Sequence, residues 1–236
     1  MQSGPVVVVQ AFLPNSHSCV DCSSLLEGVV AQHVCSHCVH PQPLRREENY
    51  FEALGAPRRF RQNIALLEKT FYEVSRALHP DRFTHAGAEV MQRSIQRMSF
   101  VNEAYRTLKS QGLLRDYFLQ RAGIRGPEGS SSSLSAQNSK LPLEWAEMWF
   151  EIQDLMLEDR TRAELKLKDF EGQLLDLQSS LNQKLQWIEN QYDQKADQGI
   201  EDRSLLLELD EELKKENYLK SMQRDVDRMK KNAHSN

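Results

Sequence analysis

No lysine or arginine precedes Arg45 in this 236-residue chain, no cysteine lies outside residues 19–38, and no long apolar run occurs, the longest being Val6 to Val9. Each absence excludes something. Without early basic residues the sequence has neither the basic region of a secretory signal nor the arginines of a transit peptide. It therefore predicts a bacterial cytoplasmic protein, or a mature mitochondrial matrix protein if the source is eukaryotic. A membrane-spanning helix needs about 20 apolar residues, and nothing approaches that. His79 and Asp81 could form an acid-base pair, but no nucleophile, glycine-rich phosphate loop or third orienting group stands near them in sequence, so the sequence predicts a protein that is not an enzyme.

What is present is charge, unevenly spread. The net charge of −4 combines residues 50–124, with twelve Lys or Arg against seven Asp or Glu, and residues 141–236, with fourteen against twenty-two. A basic first half suits an acidic protein surface. An acidic second half opposes wrapping nucleic acid along the chain.

The four cysteines form two pairs at matched spacing, Cys19-Val20-Asp21-Cys22 and Cys35-Ser36-His37-Cys38. Two such pairs, brought together by a hairpin, can supply four thiolates to one tetrahedral ion. Zinc is the natural occupant; a rubredoxin-like iron site would use similar ligands. Gly28 followed by Val29, Val30 and Ala31 predicts a turn and a short strand between the pairs. Disulfides conflict with a chain lacking an export signal, and a redox pair would need a strand-helix-strand unit that is not evident. About thirty residues bury too little apolar surface to fold alone, so the metal would fold this module. His17, His33, His37 and His40 read as surface residues. A nucleic-acid reader would carry basic residues here, and residues 15–44 have none.

Two amphipathic stripes follow. Ile64, Leu67, Phe71, Val74 and Leu78 recur at helical spacing behind a candidate N-cap, Asn63; Met91, Ile95, Met98, Val101, Tyr105 and Leu108 repeat the pattern. Two facing stripes with a short connection predict an antiparallel hairpin. At its tip stand His79, Pro80 and Asp81. The proline biases His79 away from helix and stiffens the connection, presenting His79 and Asp81 to solvent.

Together with Asn49-Tyr50-Phe51-Glu52-Ala53-Leu54-Gly55, Val101-Asn102-Glu103-Ala104-Tyr105-Arg106-Thr107-Leu108 and Leu114-Arg115-Asp116-Tyr117-Phe118-Leu119, this tip resembles a J domain. A J domain directly followed by a helical domain is similar to the HscB family, co-chaperones of iron-sulfur cluster assembly. Some HscB-like proteins carry a comparable tetracysteine module ahead of the J domain. One departure is that Ser110-Gln111-Gly112 stands where that family commonly has a proline turn. The resemblance implies docking on a 70-kDa heat-shock chaperone of the DnaK or HscA type through His79, Pro80, Asp81, Lys69, Arg76 and Arg82. It also implies that an IscU-type scaffold binds the C-terminal domain.

That domain begins after a Gly/Pro/Ser-rich break. Trp145, Trp149, Ile152 and Met156 stripe a first segment, Phe170, Leu174, Leu177, Leu181, Leu185, Ile188 and Tyr192 a second, and Leu206, Leu209, Leu213, Met222, Val226 and Met229 a third, with Gly199 at the second turn. Three stripes with short connections predict an antiparallel three-helix bundle. The third stripe falters, because continuing it from Leu213 puts Glu216 and Lys220 on the core face. By resemblance, Tyr218 and Leu219 there, with Trp149, Ile152, Gln153 and Met156, would meet the scaffold. The expected organisation is a tail (1–14), a zinc module (15–44), a J domain (49–124), a linker (125–140) and a bundle (141–231), a mainly α protein with a small metal-stabilised hairpin in front.

Overall fold

The computed structural model of the chain describes residues 17–126 and 143–234, the side chains at 143–146 and 232–234 excepted. The expected tail, Trp145 as a side chain and nearly all of the expected linker lie outside the described residues. Two compact units emerge, dividing between Tyr117 and Phe118.

In the first unit, strands β1 (His17–Ser18) and β2 (Leu25–Leu26) pair antiparallel, and helix α1 (Val29–His33) follows. Val29, Val30 and Ala31 are thus helical, not the expected strand. Gly28, at φ 86°, turns the chain directly into α1, and the hairpin is instead closed by Leu25 and Leu26. Helices α2 (Tyr50–Leu54), α3 (Ile64–Leu78) and α4 (Ala88–Lys109) follow, and α5 (Gln111–Arg121) spans the division between the units. Asn49 caps α2 by accepting from the Glu52 amide at 3.0 Å, and Asn63 caps α3 by accepting from the Leu66 amide at 3.1 Å. Only Ser110, in extended backbone, separates α4 from α5 where the HscB-like pattern commonly has a proline turn.

The α3 stripe buries Leu67, Val74 and Leu78 as its spacing predicts. The first half of α4 does not follow its stripe. Ile95 is exposed, and the buried face there carries Ser94 and Arg97 before Val101, Ala104 and Leu108 take over. Polar residues hold that face because it meets backbone carbonyls and a carboxylate, not aliphatic side chains.

Gly55 ends α2 at φ 58°, and a Cβ built on it would stand 2.5 Å from Val29 Cγ2. Left-handed backbone and a stiff valine in contact together oppose any side chain here. Gly55→Ala is expected to destabilise the chain by about 2–3 kcal/mol in urea unfolding, from strain and overpacking combined; a loss within 0.5 kcal/mol, roughly the span of an ordinary surface change, would contradict the contact.

In the second unit α7 (Arg160–Ala196) is the helix on which both α6 (Leu143–Glu158) and α8 (Arg203–His234) pack. Asp159 is the entire turn between α6 and α7 and caps the latter by accepting from the Arg162 amide at 3.1 Å. Trp149 lies 5.9 Å from Phe170 between ring centres, and Lys184 pairs with Glu212 at 2.7 Å across α7 and α8. Phe118 meets Tyr192 edge-on at 5.2 Å. The faltering third stripe is resolved within one unbroken helix. Leu213, Leu219, Met222 and Val226 are buried, and Glu216 bridges the gap with its carboxylate paired to Lys220 at 2.8 Å.

Candidate functional site

At the hairpin tip α3 ends on Leu78, and a 3-10 turn spans Pro80–Phe83. His79 joins the two: its Nδ1 accepts from the Asp81 amide at 3.4 Å and lies 3.6 Å from the Asp81 carboxylate. Buried Phe83 anchors the turn from below, and Ser94 of α4 donates to the Leu78 carbonyl at 2.6 Å. The result is a carboxylate, 86% exposed, on a rigid base. Lys69 and Arg76, seven residues apart on α3, share one exposed helix face, and Arg82 folds back so that Nη1 donates to the Arg76 carbonyl at 3.4 Å. The structure thus brings His79, Pro80, Asp81, Arg76 and Arg82 together, with Lys69 two turns up the helix.

The four cysteines converge as their spacing predicts. Their sulfurs lie within 4.8 Å of one another, none in a disulfide. Four thiolates arranged tetrahedrally at about 2.3 Å from an ion stand about 3.8 Å apart; Cys19 Sγ–Cys38 Sγ is 3.5 Å and Cys22 Sγ–Cys35 Sγ 3.7 Å. The donor set fits a metal. The two knuckles repeat one geometry: Ser23 and Val39, each directly after the second cysteine, take φ of 59° and 61°, and their amides bond the Cys19 and Cys35 carbonyls. A β-branched residue in this region is strained. Four converging thiolates over-determine the loop, which is why Val39 is held there. Backbone amides of Asp21 and His37 point at Cys19 and Cys35 Sγ, both at 3.4 Å, and Gln42 Nε2 donates to Cys19 Sγ at 3.2 Å. Hydrogen bonds with Ser24 pull the Cys22 thiol down to about 5, while burial pushes Cys38 up to about 12. Four adjacent thiolates would repel, so all four ionise only against a cation.

The module does not stand apart from the hairpin. Arg97 of α4, 1% exposed, donates Nε to the Gln42 carbonyl at 2.5 Å, Nη2 to the Pro43 carbonyl at 2.8 Å, and Nη1 and Nη2 to Glu48 at 2.9 and 3.1 Å. Arg93, one turn earlier, grips both Asp21 carboxylate oxygens at 3.1 Å. His33, read from sequence as a surface residue, is fully buried. Its Nε2 lies 2.7 Å from the Ala53 carbonyl and must donate, so Nδ1 accepts from Arg97 Nη1 at 2.8 Å. Burial and the Arg97 charge hold its pKa down at about 4, consistent with this neutral form. The expected surface histidine was instead a core hydrogen-bond bridge, which sequence spacing has no means to show. His37 is exposed as expected.

No family model matches the chain. A co-chaperone protein HscB homolog of Photobacterium profundum is 31% identical over 147 residues, 61% of this chain and 82% of that protein. The chain belongs to the HscB co-chaperone family. An iron-sulfur cluster co-chaperone protein HscB of Mus musculus is 30% identical over 120 residues, and an HscB homolog of Azoarcus sp. is 32% identical over 101. The matched stretches span only 51% and 57% of those two HscB proteins. In fold, the chain resembles human HscB at a TM-score of 0.58 and 21% identity, over 91% of this chain and 98% of that one. It resembles HscB from Vibrio cholerae at 0.54 and 23%, over 78% and 99%. Among the described residues no helix is long and apolar enough to cross a membrane.

The residues expected by HscB resemblance to meet a scaffold are divided by burial. Ile152 and Leu219 are core, with 0% and 4% exposure, because α6 and α8 turn these positions onto α7. They offer no free side chain to a partner, which corrects the expectation for both. Trp149, Met156 and Tyr218 are half-buried and Gln153 is exposed. Sequence reasoning missed Phe150, 62% exposed on α6 between Trp149 and Glu151. The available signal was a large aromatic out of phase with the Trp149, Ile152, Met156 stripe.

Proposed function

We propose that the chain is a non-enzymatic adaptor that docks its J domain, residues 49–124, on a 70-kDa chaperone of the DnaK or HscA type, and delivers an IscU-type iron-sulfur scaffold bound to its C-terminal bundle, residues 141–231. The observation that carries this reading is the Asp81 carboxylate, exposed on a turn that His79, Pro80 and Phe83 hold rigid. A fixed anion of this kind pairs with a partner arginine at little entropic cost. Lys69, Arg76 and Arg82 extend the contact toward acidic groups and speed encounter. Trp149, Phe150, Gln153 and Met156 on α6, with Tyr218 on α8, are the scaffold-facing candidates. Zinc is the ion the four cysteines suit, and with all four positions taken by sulfur its role is structural.

The test is steady-state ATP hydrolysis by a DnaK- or HscA-type chaperone with this protein added, with and without an IscU-type scaffold. The expected result is stimulation at least tenfold greater with both than with either alone. Stimulation indifferent to the scaffold would assign the bundle to another client, and none at all would remove the J-domain role.

A further inference from the structure

We propose that Gln42 and Arg97 form the outer shell of the metal site, making metal binding and the packing of α4 on the cysteine module one equilibrium. The inference stands on the first unit alone and holds whether or not the chaperone reading does. Gln42 has two hands. Its side chain reaches the metal knuckle, Nε2 donating to Cys19 Sγ at 3.2 Å while Oε1 accepts from the Val20 amide at 3.1 Å. Its backbone carbonyl accepts Arg97 Nε at 2.5 Å. An amide donor on a thiolate sets that ligand's orientation and charge, and residues in this position commonly change metal affinity 10- to 100-fold.

From Arg97 the contacts continue along one face of α4. Arg93 holds Asp21, which lies inside the first cysteine pair, and Ser94 holds the Leu78 carbonyl, the last residue before His79. Arg93, Ser94 and Arg97 follow one another at helical spacing, so α4 carries on a single ridge the metal knuckle, the end of α3 and the chain entering α2. Without metal, the cysteine loops lose the ion that holds Ser23 and Val39 in their strained angles, and Gln42 loses the thiolate it supports. Arg97 would then keep its charge but lose the ordered carbonyls of Gln42 and Pro43 that solvate it. Binding free energies between linked sites are reciprocal: whatever zinc contributes to the packing of α4, the α4 contact contributes to zinc.

The test uses the full chain and zinc as the probe. Zinc affinity is measured by competition with a chromophoric chelator for the unaltered protein, Gln42→Ala and Arg97→Met, with helix content checked by circular dichroism. Each substitution is expected to weaken zinc binding about tenfold or more. Affinity within twofold of the unaltered protein in a folded Arg97→Met would overturn the proposal. Should that variant fail to fold, amide hydrogen exchange on the unaltered protein with and without zinc decides. Loss of protection at Ser94–Arg97 and Arg82 on zinc removal is expected, and a loss confined to residues 17–44 would overturn it.

Discussion

His79→Gln is expected to abolish stimulation of the chaperone's ATP hydrolysis while leaving the fold and scaffold binding unchanged. The side chain is more than half exposed, at 56%, and its work is local. One imidazole nitrogen caps the 3-10 turn by accepting from the Asp81 amide, and the ring stands beside the Asp81 carboxylate, so the turn and the aim of that carboxylate are fixed together. Glutamine has an additional rotatable bond and no ring to hold this position, and the entropy of ordering the tip would fall on the docking step. The measurement is single-turnover ATP hydrolysis with scaffold present, beside scaffold affinity by calorimetry. At least a tenfold loss of stimulation with scaffold affinity retained is expected. Equal stimulation by the variant would sink the assignment of this tip, and a parallel loss of scaffold binding would mean that the substitution acts on more than the tip.

Glu48→Ala is expected to be the most damaging single change to stability, about 3–5 kcal/mol by urea unfolding, because it strips the carboxylate from a buried arginine. The Glu48 and Arg97 side chains are 1% and 2% exposed, and two hydrogen bonds join them. The Gln42 and Pro43 carbonyls and His33 remain as acceptors, but none of them is charged. The same pair sets an acid limit. Burial pushes the Glu48 carboxyl up, yet the Arg97 charge and hydrogen bonds outweigh it and leave its pKa below the ordinary glutamate value. A depressed folded value means that the pair's stabilisation is fully present above the unfolded value, about 4.3, and is lost as the pH falls through the folded one. Unfolding free energy should therefore decline below about pH 4 more steeply in the unaltered protein than in Glu48→Ala. A combined Glu48→Ala and Arg97→Met variant should recover part of the loss, since the uncompensated charge is gone. A single-variant cost under about 1 kcal/mol would show that the pair is no better than a surface ion pair.

Much of this architecture was legible in residue spacing. The mainly helical class, the hairpin of α3 and α4, the Asn63 cap and the three long C-terminal helices rest on apolar periodicity and capping, which act over a few residues. The cysteine cluster was legible because thiolate geometry constrains spacing. Where the reading failed, long-range contact decided. Val29–Ala31 favours a strand by composition, but α1 forms because Gly28 turns the chain and Val29 packs on Gly55. Ile95 fits the stripe of α4 and is exposed, whereas Ser94 and Arg97 are buried because carbonyls from distant segments meet them.

Residue pattern alone was enough for the long helices, the family likeness and the residues with chemistry to offer: four thiols and a His-Pro-Asp tip. Only the tertiary structure decided that the metal knuckles, the entry to α2 and the end of α3 are gathered on one ridge of α4. A buried arginine looks, in sequence, like any surface arginine. Its role is set by acceptors 49 to 64 residues away along the chain, and no local pattern encodes contacts at that distance.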